Sequence, residues 1–71
     1  MVKIDRYDSG ILEASLGVSR ESLLVFSEKS CPGWQAYIDG KIVKIEKYMD
    51  ILQAVRVGPG AHKVVFKYEQ F

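Results

Sequence analysis

The fold is decided by one stretch of the chain, WQAYIDGKIVKI, which covers residues 34–45. Apolar and polar residues alternate before and after Asp39-Gly40, as they do in strands with one buried face. An Asp-Gly pair between two such runs predicts a hairpin closed by a type I′ turn, in which both central residues have positive φ. The strand that ends at Ile38 is therefore expected to pair antiparallel with the strand that begins at Lys41.

The rest of the chain repeats this pattern in both directions. Short runs of β-branched and aromatic residues are separated by Gly, Pro, Asp and Ser, which is typical of strands joined by turns. Seven runs are predicted to be strands, at residues 2–7, 11–16, 23–26, 34–38, 41–45, 51–57 and 62–68. Residues 48–50 are predicted to form a loop. We expect an all-β fold, a small antiparallel β-sandwich of about seven strands, with a Greek-key β-barrel as the alternative.

Length and charge limit the classes of function. The chain has 71 residues, and we expect residues 1–71 to form a single domain. Its net charge is +1, without the basic excess of nucleic-acid binders, so no nucleic-acid partner is expected. No apolar run approaches the ~20 residues that cross a bilayer. One Cys and one His exclude an internal disulfide and the usual zinc sites, and we expect no metal and no cofactor.

A chain of this size, without a disulfide or a metal, is marginally stable and must bury most of its apolar side chains. Trp34 is accordingly predicted to be largely buried, against Val25, Val55 and Phe66. The uncharged run at residues 23–26 is predicted to be a central strand that is covered on both faces.

Few residues offer reaction chemistry. Cys31 lies in a predicted turn and is expected to be a free thiol without a catalytic role. His62 begins the last predicted strand and is expected to hydrogen-bond the neighbouring turn. The nine acidic residues are scattered, and no spacing marks a pair of catalytic carboxylates. We therefore predict no catalytic residue in this chain.

Two tyrosines are the better candidates for binding a ligand. Aromatic faces bind sugar rings and occur at interfaces. Tyr37 is expected on the face of its strand opposite Trp34, and Tyr48 is expected in a loop. Both are predicted to be available at the surface.

One long segment resembles a known family. The stretch LVFSEKSCPGWQAYIDGK at residues 24–41 resembles the C-terminal part of the YfhO-like bacterial membrane proteins. In that family it is followed by Ala-Val-x-Val and then Gly-x-His-x-Val-x-Phe-x-Tyr, which match residues 54–57 and 60–68. The chain departs from the pattern at Cys31, where the family usually has an aromatic residue, and at residues 48–50, where an Asn is common.

The resemblance implies a large polytopic membrane protein, similar to lipid-linked glycosyltransferases, with its catalytic part elsewhere. The matching segment would be an extracytoplasmic β-rich domain, excised here from the larger protein and soluble as a fragment. Its motif residues are expected to determine the fold: Pro32, Gly33, Trp34, Asp39, Gly40, Gly60 and His62.

Three hypotheses for function follow. The first is a non-catalytic extracytoplasmic accessory domain, whose partners are the membrane portion of the parent protein and a glycan or lipid-linked sugar. The second is a carbohydrate-binding module that uses Tyr37 and Tyr48. The third is a protein-interaction domain that pairs through an exposed sheet edge.

Overall fold

The computed structural model describes residues 2–29, 33–49 and 51–69. These residues form eight β-strands: β1 (Val2–Asp8), β2 (Ile11–Val18), β3 (Ser22–Lys29), β4 (Trp34–Ile38), β5 (Lys41–Val43), β6 (Glu46–Tyr48), β7 (Leu52–Val57) and β8 (Gly60–Tyr68). Among them there is no helix with the length and apolar character needed to cross a bilayer. The all-β prediction is confirmed.

Two antiparallel sheets form a sandwich. One has five strands in the order β1-β2-β8-β4-β5, and the other has three in the order β3-β7-β6. Within the described ranges the two sheets do not join into a closed barrel, so the sandwich expectation is confirmed and the barrel alternative is not adopted.

The Asp39-Gly40 hairpin is present. Ile38 pairs with Lys41 across the turn, and φ is 52° at Asp39 and 84° at Gly40. Positive φ at both central residues is the requirement of a type I′ turn, and the Asp-Gly pair satisfies it.

The strand predicted at residues 41–45 is shorter than expected. β5 ends at Val43, and the chain crosses to the three-stranded sheet, where β6 pairs with β7. Tyr48, which was expected in a loop, ends β6. The alternation of Ile42, Val43 and Ile45 signals extended backbone but does not show where a strand changes sheets.

The position predicted for the run at residues 23–26 is wrong. β3 pairs with β7 and lies at the edge of the three-stranded sheet. Leu24 and Phe26 face the core, while Leu23 on the outer face is 38% exposed. An uncharged run is compatible with burial on both faces, but only the assembled sheet decides how many neighbours a strand has.

The core lies between the two sheets and is centred on β8. Phe66 and Val64 are fully buried there, and Phe66 is paired with Leu12 on one side and Ala36 on the other. The buried cluster consists of Leu12, Leu16, Phe26, Ala36, Val55, Val57, Val64 and Phe66.

Trp34 is partly buried and packs against the buried cluster, which agrees with the prediction that most of this side chain is removed from solvent. Its ring packs against Phe26, with 5.6 Å between the ring centroids, and against Tyr68, at 5.4 Å. Because Trp34 is the first residue of β4, it lies at one end of the sandwich, where one side of the indole stays open to solvent.

Replacing Gly40 with Ala should destabilise the domain by about 1 kcal/mol, because a Cβ is penalised at positive φ. Gly17→Ala is the matched control. A Cβ at either position would meet no atom within 4 Å, but Gly17 lies within a strand and has no positive φ. There, Ala should stabilise by about 0.5 kcal/mol. Urea unfolding measures both variants, and equal effects would contradict the turn assignment.

Candidate functional site

The one histidine of the chain ties two turns together at one end of the sandwich. Protonated His62 donates from Nδ1 to Oδ2 of Asp39 over 2.7 Å and from Nε2 to the carbonyl oxygen of Pro59 over 3.2 Å. Both partners are acceptors, so this geometry suits the imidazolium form, in which both ring nitrogens carry a proton.

Asp39 is held from a second side. Its Oδ1 accepts the backbone N–H of Lys63 over 2.9 Å, and its own N–H donates to the carbonyl of Lys63 over 2.8 Å. The β4–β5 turn is therefore fastened to β8 by backbone and side chain together.

These contacts shift both ionisations. The hydrogen bond to Asp39, then the bond to the Pro59 carbonyl, raises the pKa of His62 above 6.5. The bond from His62, then the bond from the Lys63 N–H, lowers the pKa of Asp39 below 3.8. The pair thus favours its charged form, whereas a general base needs a free lone pair on one ring nitrogen.

The two tyrosines selected from the sequence do not share a surface. Tyr37 lies on the outer face of the five-stranded sheet, with its hydroxyl 2.8 Å from Oε1 of Gln35 and 3.4 Å from Oε1 of Glu69. Partial burial and then the charge of Glu69 raise the pKa of Tyr37. Tyr48 is 40% exposed on the outer face of the three-stranded sheet, on the other side of the sandwich.

The structure instead assembles a different aromatic surface near Trp34. An open groove of about 650 Å³ is lined by Tyr7, Asp8, Ser9, Gly10, Trp34 and Tyr68. Tyr7 is 66% exposed at its rim. The backbone N–H of Tyr68 donates to the carbonyl of Gly10 over 2.8 Å, which fixes the floor of the groove.

Gly33 allows the close approach of Tyr68. It has a φ of 105°, and a Cβ there would lie 2.8 Å from Cε1 of Tyr68. The N–H of Glu69 donates to the Gly33 carbonyl over 2.7 Å. Sequence reasoning missed Tyr7 and Tyr68 because they come from the first and last strands, and no spacing signal joins them.

Cys31 and Pro32 lie outside the described residues. Within the described ranges, no group of three His, Cys, Asp or Glu side chains lies close enough to hold a metal ion.

These features define a small β-sandwich with a hairpin fastened to β8 at one end and an aromatic groove near the first turn of the chain. The model of a family described as bacterial membrane protein YfhO matches residues 2–70, and the chain belongs to that family. A search of curated proteins and a search of solved structures each gave no significant match.

The imidazole of His62 should titrate with a midpoint above 6.5 when followed by its ring proton resonances. Asp39→Asn should bring the midpoint down, because the charged acceptor is lost. The chain has one histidine, so the signal needs no assignment. A midpoint at or below 6.5 in the native chain would contradict the geometry.

The free energy of unfolding should depend on pH through the ionisation of His62 and Asp39. Because the folded pKa of His62 is raised, its contribution is complete below the ordinary value of 6.5 and is lost as the pH rises through the raised pKa. Because the folded pKa of Asp39 is depressed, its contribution is present above 3.8 and is lost as the pH falls through the lowered pKa. The difference in melting temperature between the native chain and His62→Gln should therefore be widest between these ordinary values and narrow on either side.

Proposed function

We propose that this chain is a non-catalytic, extracytoplasmic accessory domain of a glycosyltransferase-like membrane protein. It forms one domain, and the reaction belongs to another part of that protein. The domain contacts the membrane portion of its parent and lies close to the glycan or lipid-linked sugar that the parent handles. Membership of the YfhO family supports the membrane context.

One observation carries the non-catalytic part of the proposal. Both ring nitrogens of His62 are engaged, one by Asp39 and one by the Pro59 carbonyl. The carboxylate of Asp39 is likewise divided between His62 and the Lys63 backbone. The histidine and its carboxylate, which elsewhere can form part of a catalytic set, hold two turns together here.

The other motif residues fit the same role. Gly33 and Gly40 adopt positive φ in turns, Gly60 does so at the start of β8, and Trp34 packs at the end of the core. We assign them to the fold. Pro32 belongs to the same motif in sequence but lies outside the described residues.

Transfer of a labelled sugar from a lipid-linked donor tests the proposal in three samples. The isolated domain should give no transfer. Membranes that contain the full-length protein should give transfer, and the same membranes with His62→Gln should keep most of it, because the substitution removes a tie within the domain and no reacting group. Turnover by the isolated domain that is lost in His62→Gln would overturn the non-catalytic assignment.

A second candidate function is carbohydrate binding, and the aromatic groove favours it. Tyr7, Trp34 and Tyr68 present ring faces beside the polar groups of Asp8 and Ser9, the combination that packs on a sugar ring and bonds its hydroxyls. The groove is shallow, so a dissociation constant of about 1 mM is expected.

Titration of the ¹⁵N-labelled domain with oligosaccharides, followed by NMR, measures this binding. Tyr7→Ala should weaken it by about tenfold, since the most exposed ring of the groove is lost. Tyr37→Ala and Tyr48→Ala should leave it unchanged, because these tyrosines lie on the outer faces. Loss of binding in those two variants instead of in Tyr7→Ala would return the site to the residues selected from the sequence.

A further inference from the structure

The two sheets of the sandwich do not match in width. Among the described residues, the five-stranded sheet extends past the edge of the three-stranded sheet, and the inward face of β1 has no strand above it. Val2, Ile4 and Tyr7 pair with the buried residues of β2 and share their face, yet they are 50%, 54% and 66% exposed. Three large apolar side chains therefore face the interior side of a sandwich that does not cover them.

A cleft lies where the missing strand would be. It has a volume of about 330 Å³ and lies between β1 and the edge of β3, with apolar walls on both sides. Tyr7 and Phe26 meet at its inner end, with 6.2 Å between ring centroids. Its floor includes Leu12, Ala14 and Phe66 from the core.

The edge of β3 that borders this cleft is open to further pairing. β3 is hydrogen-bonded to β7 on one side and, in the described part of the chain, has no strand on the other. Along β3, the N–H and C=O groups of every second residue point away from β7, and these groups can bond another strand. Residues 22–27, SLLVFS, contain no charged side chain.

The other three edges are protected in the ways proteins use against unwanted pairing. β5 and β6 have three residues each. β1 has an irregular register between Ile4 and Arg6 and carries four charged side chains, Lys3, Asp5, Arg6 and Asp8. β3 also has a register shift, between Phe26 and Lys29, but before this shift the edge presents regularly paired residues without a charge, at positions 22–26. The sequence of β3 is thus that of a central strand, although it occupies an edge.

We propose that the β3 edge accepts one added strand, which completes the smaller sheet to four strands and covers Val2, Ile4 and Tyr7. The occupant is an extended segment of the parent membrane protein with apolar side chains at every second position. Its backbone would continue the β3 ladder, and its alternate side chains would enter the cleft above β1. This identity of the segment rests on the proposed accessory function, whereas the acceptor edge is a property of the domain alone.

A second copy of the domain that pairs antiparallel through its own β3 does not fit this position. The space below the missing strand is filled by β1 of the same chain. In a second copy, β3 is backed by a five-stranded sheet of its own, which would occupy the same space as β1. A single extended segment has no second layer, so it meets no such obstacle.

A peptide probe tests the acceptor edge on the isolated domain. The probe is acetyl-Lys-Thr-Val-Thr-Val-Thr-Val-Thr-Lys-amide, and its control has Pro in place of the central Val, because Pro cannot donate to the ladder. The probe should shift the NMR signals of residues 22–27 and of β1 and slow amide exchange in β3 by about tenfold. The Pro peptide should bind at least about tenfold more weakly.

Two matched variants locate the binding. Ile4→Lys places a charge in the cleft and should weaken the probe by about tenfold or more. Ile42→Lys is the control, because Ile42 is similarly exposed, at 65%, but pairs with Tyr37 and faces the outer side of the same sheet. It should change the affinity less than about twofold. A well-dispersed spectrum verifies the fold of each variant.

Failure of this arm overturns the acceptor edge without bearing on the accessory role. Three results would each overturn the acceptor edge. These are the absence of NMR shifts at a millimolar concentration of the probe, shifts that map to β5 or β6, and equal affinity of the probe for the two variants. A domain that dimerises by itself in sedimentation, and becomes monomeric in Ile4→Lys, would replace the single strand with a second copy and overturn the proposed occupant.

A photo-crosslinking arm identifies the source of the strand in the full-length protein in its membrane. Benzoylphenylalanine at position 4 should crosslink within the same polypeptide to an extended segment outside the domain, and the same group at position 42 should not. Crosslinks from position 4 to lipid, to another protein or to a second copy, or none above the level at position 42, would overturn the assignment to the parent. The sugar-transfer assay stays independent of these outcomes.

Discussion

The burial of Phe66 at the centre of β8 is the constraint on which the rest of the structure depends. β8 pairs with β2 on one side and with β4 on the other, so it is the central strand of the five-stranded sheet. Phe66 is fully buried and meets the ring of Phe26 from the opposite sheet, with 5.0 Å between centroids. In a chain of this size, the burial of these two rings between the layers adds to a small apolar core that holds the sheets together.

Around this centre, the ends of the sandwich are used differently. At one end, Asp39 and His62 are engaged with each other and with the backbone of β8, so their polar groups serve the hairpin. At another, Trp34 and Tyr68 leave part of their ring faces in an open groove. Along the side between β1 and β3, apolar side chains stay exposed. The groove and the β3 edge are therefore the surfaces proposed for binding, while the polar groups of Asp39 and His62 are engaged in hydrogen bonds within the fold.

Much of the fold was predictable because its signals are local. The Asp39-Gly40 turn follows from two adjacent residues whose backbone preference matches a type I′ turn. The hydrogen bond of His62 to the neighbouring turn was also expected, and its Nε2 lies 3.2 Å from the carbonyl oxygen of Pro59. The candidate surfaces were less predictable. Tyr37 and Tyr48 were chosen for their exposure in single strands, but a binding surface depends on which strands become neighbours.

The sequence by itself determined the all-β class, the hairpin at Asp39-Gly40 and the strand faces that point inward, because alternation and turn chemistry act over a few residues. Tertiary structure alone decided the division of residues 41–48 between two sheets and the edge position of β3. It also brought Tyr7 and Tyr68 together from opposite ends of the chain. These features depend on pairing between strands that are far apart in the sequence. The same local sequence can form a strand with one neighbour or with two, and in this sandwich of five and three strands β3 has one neighbouring strand.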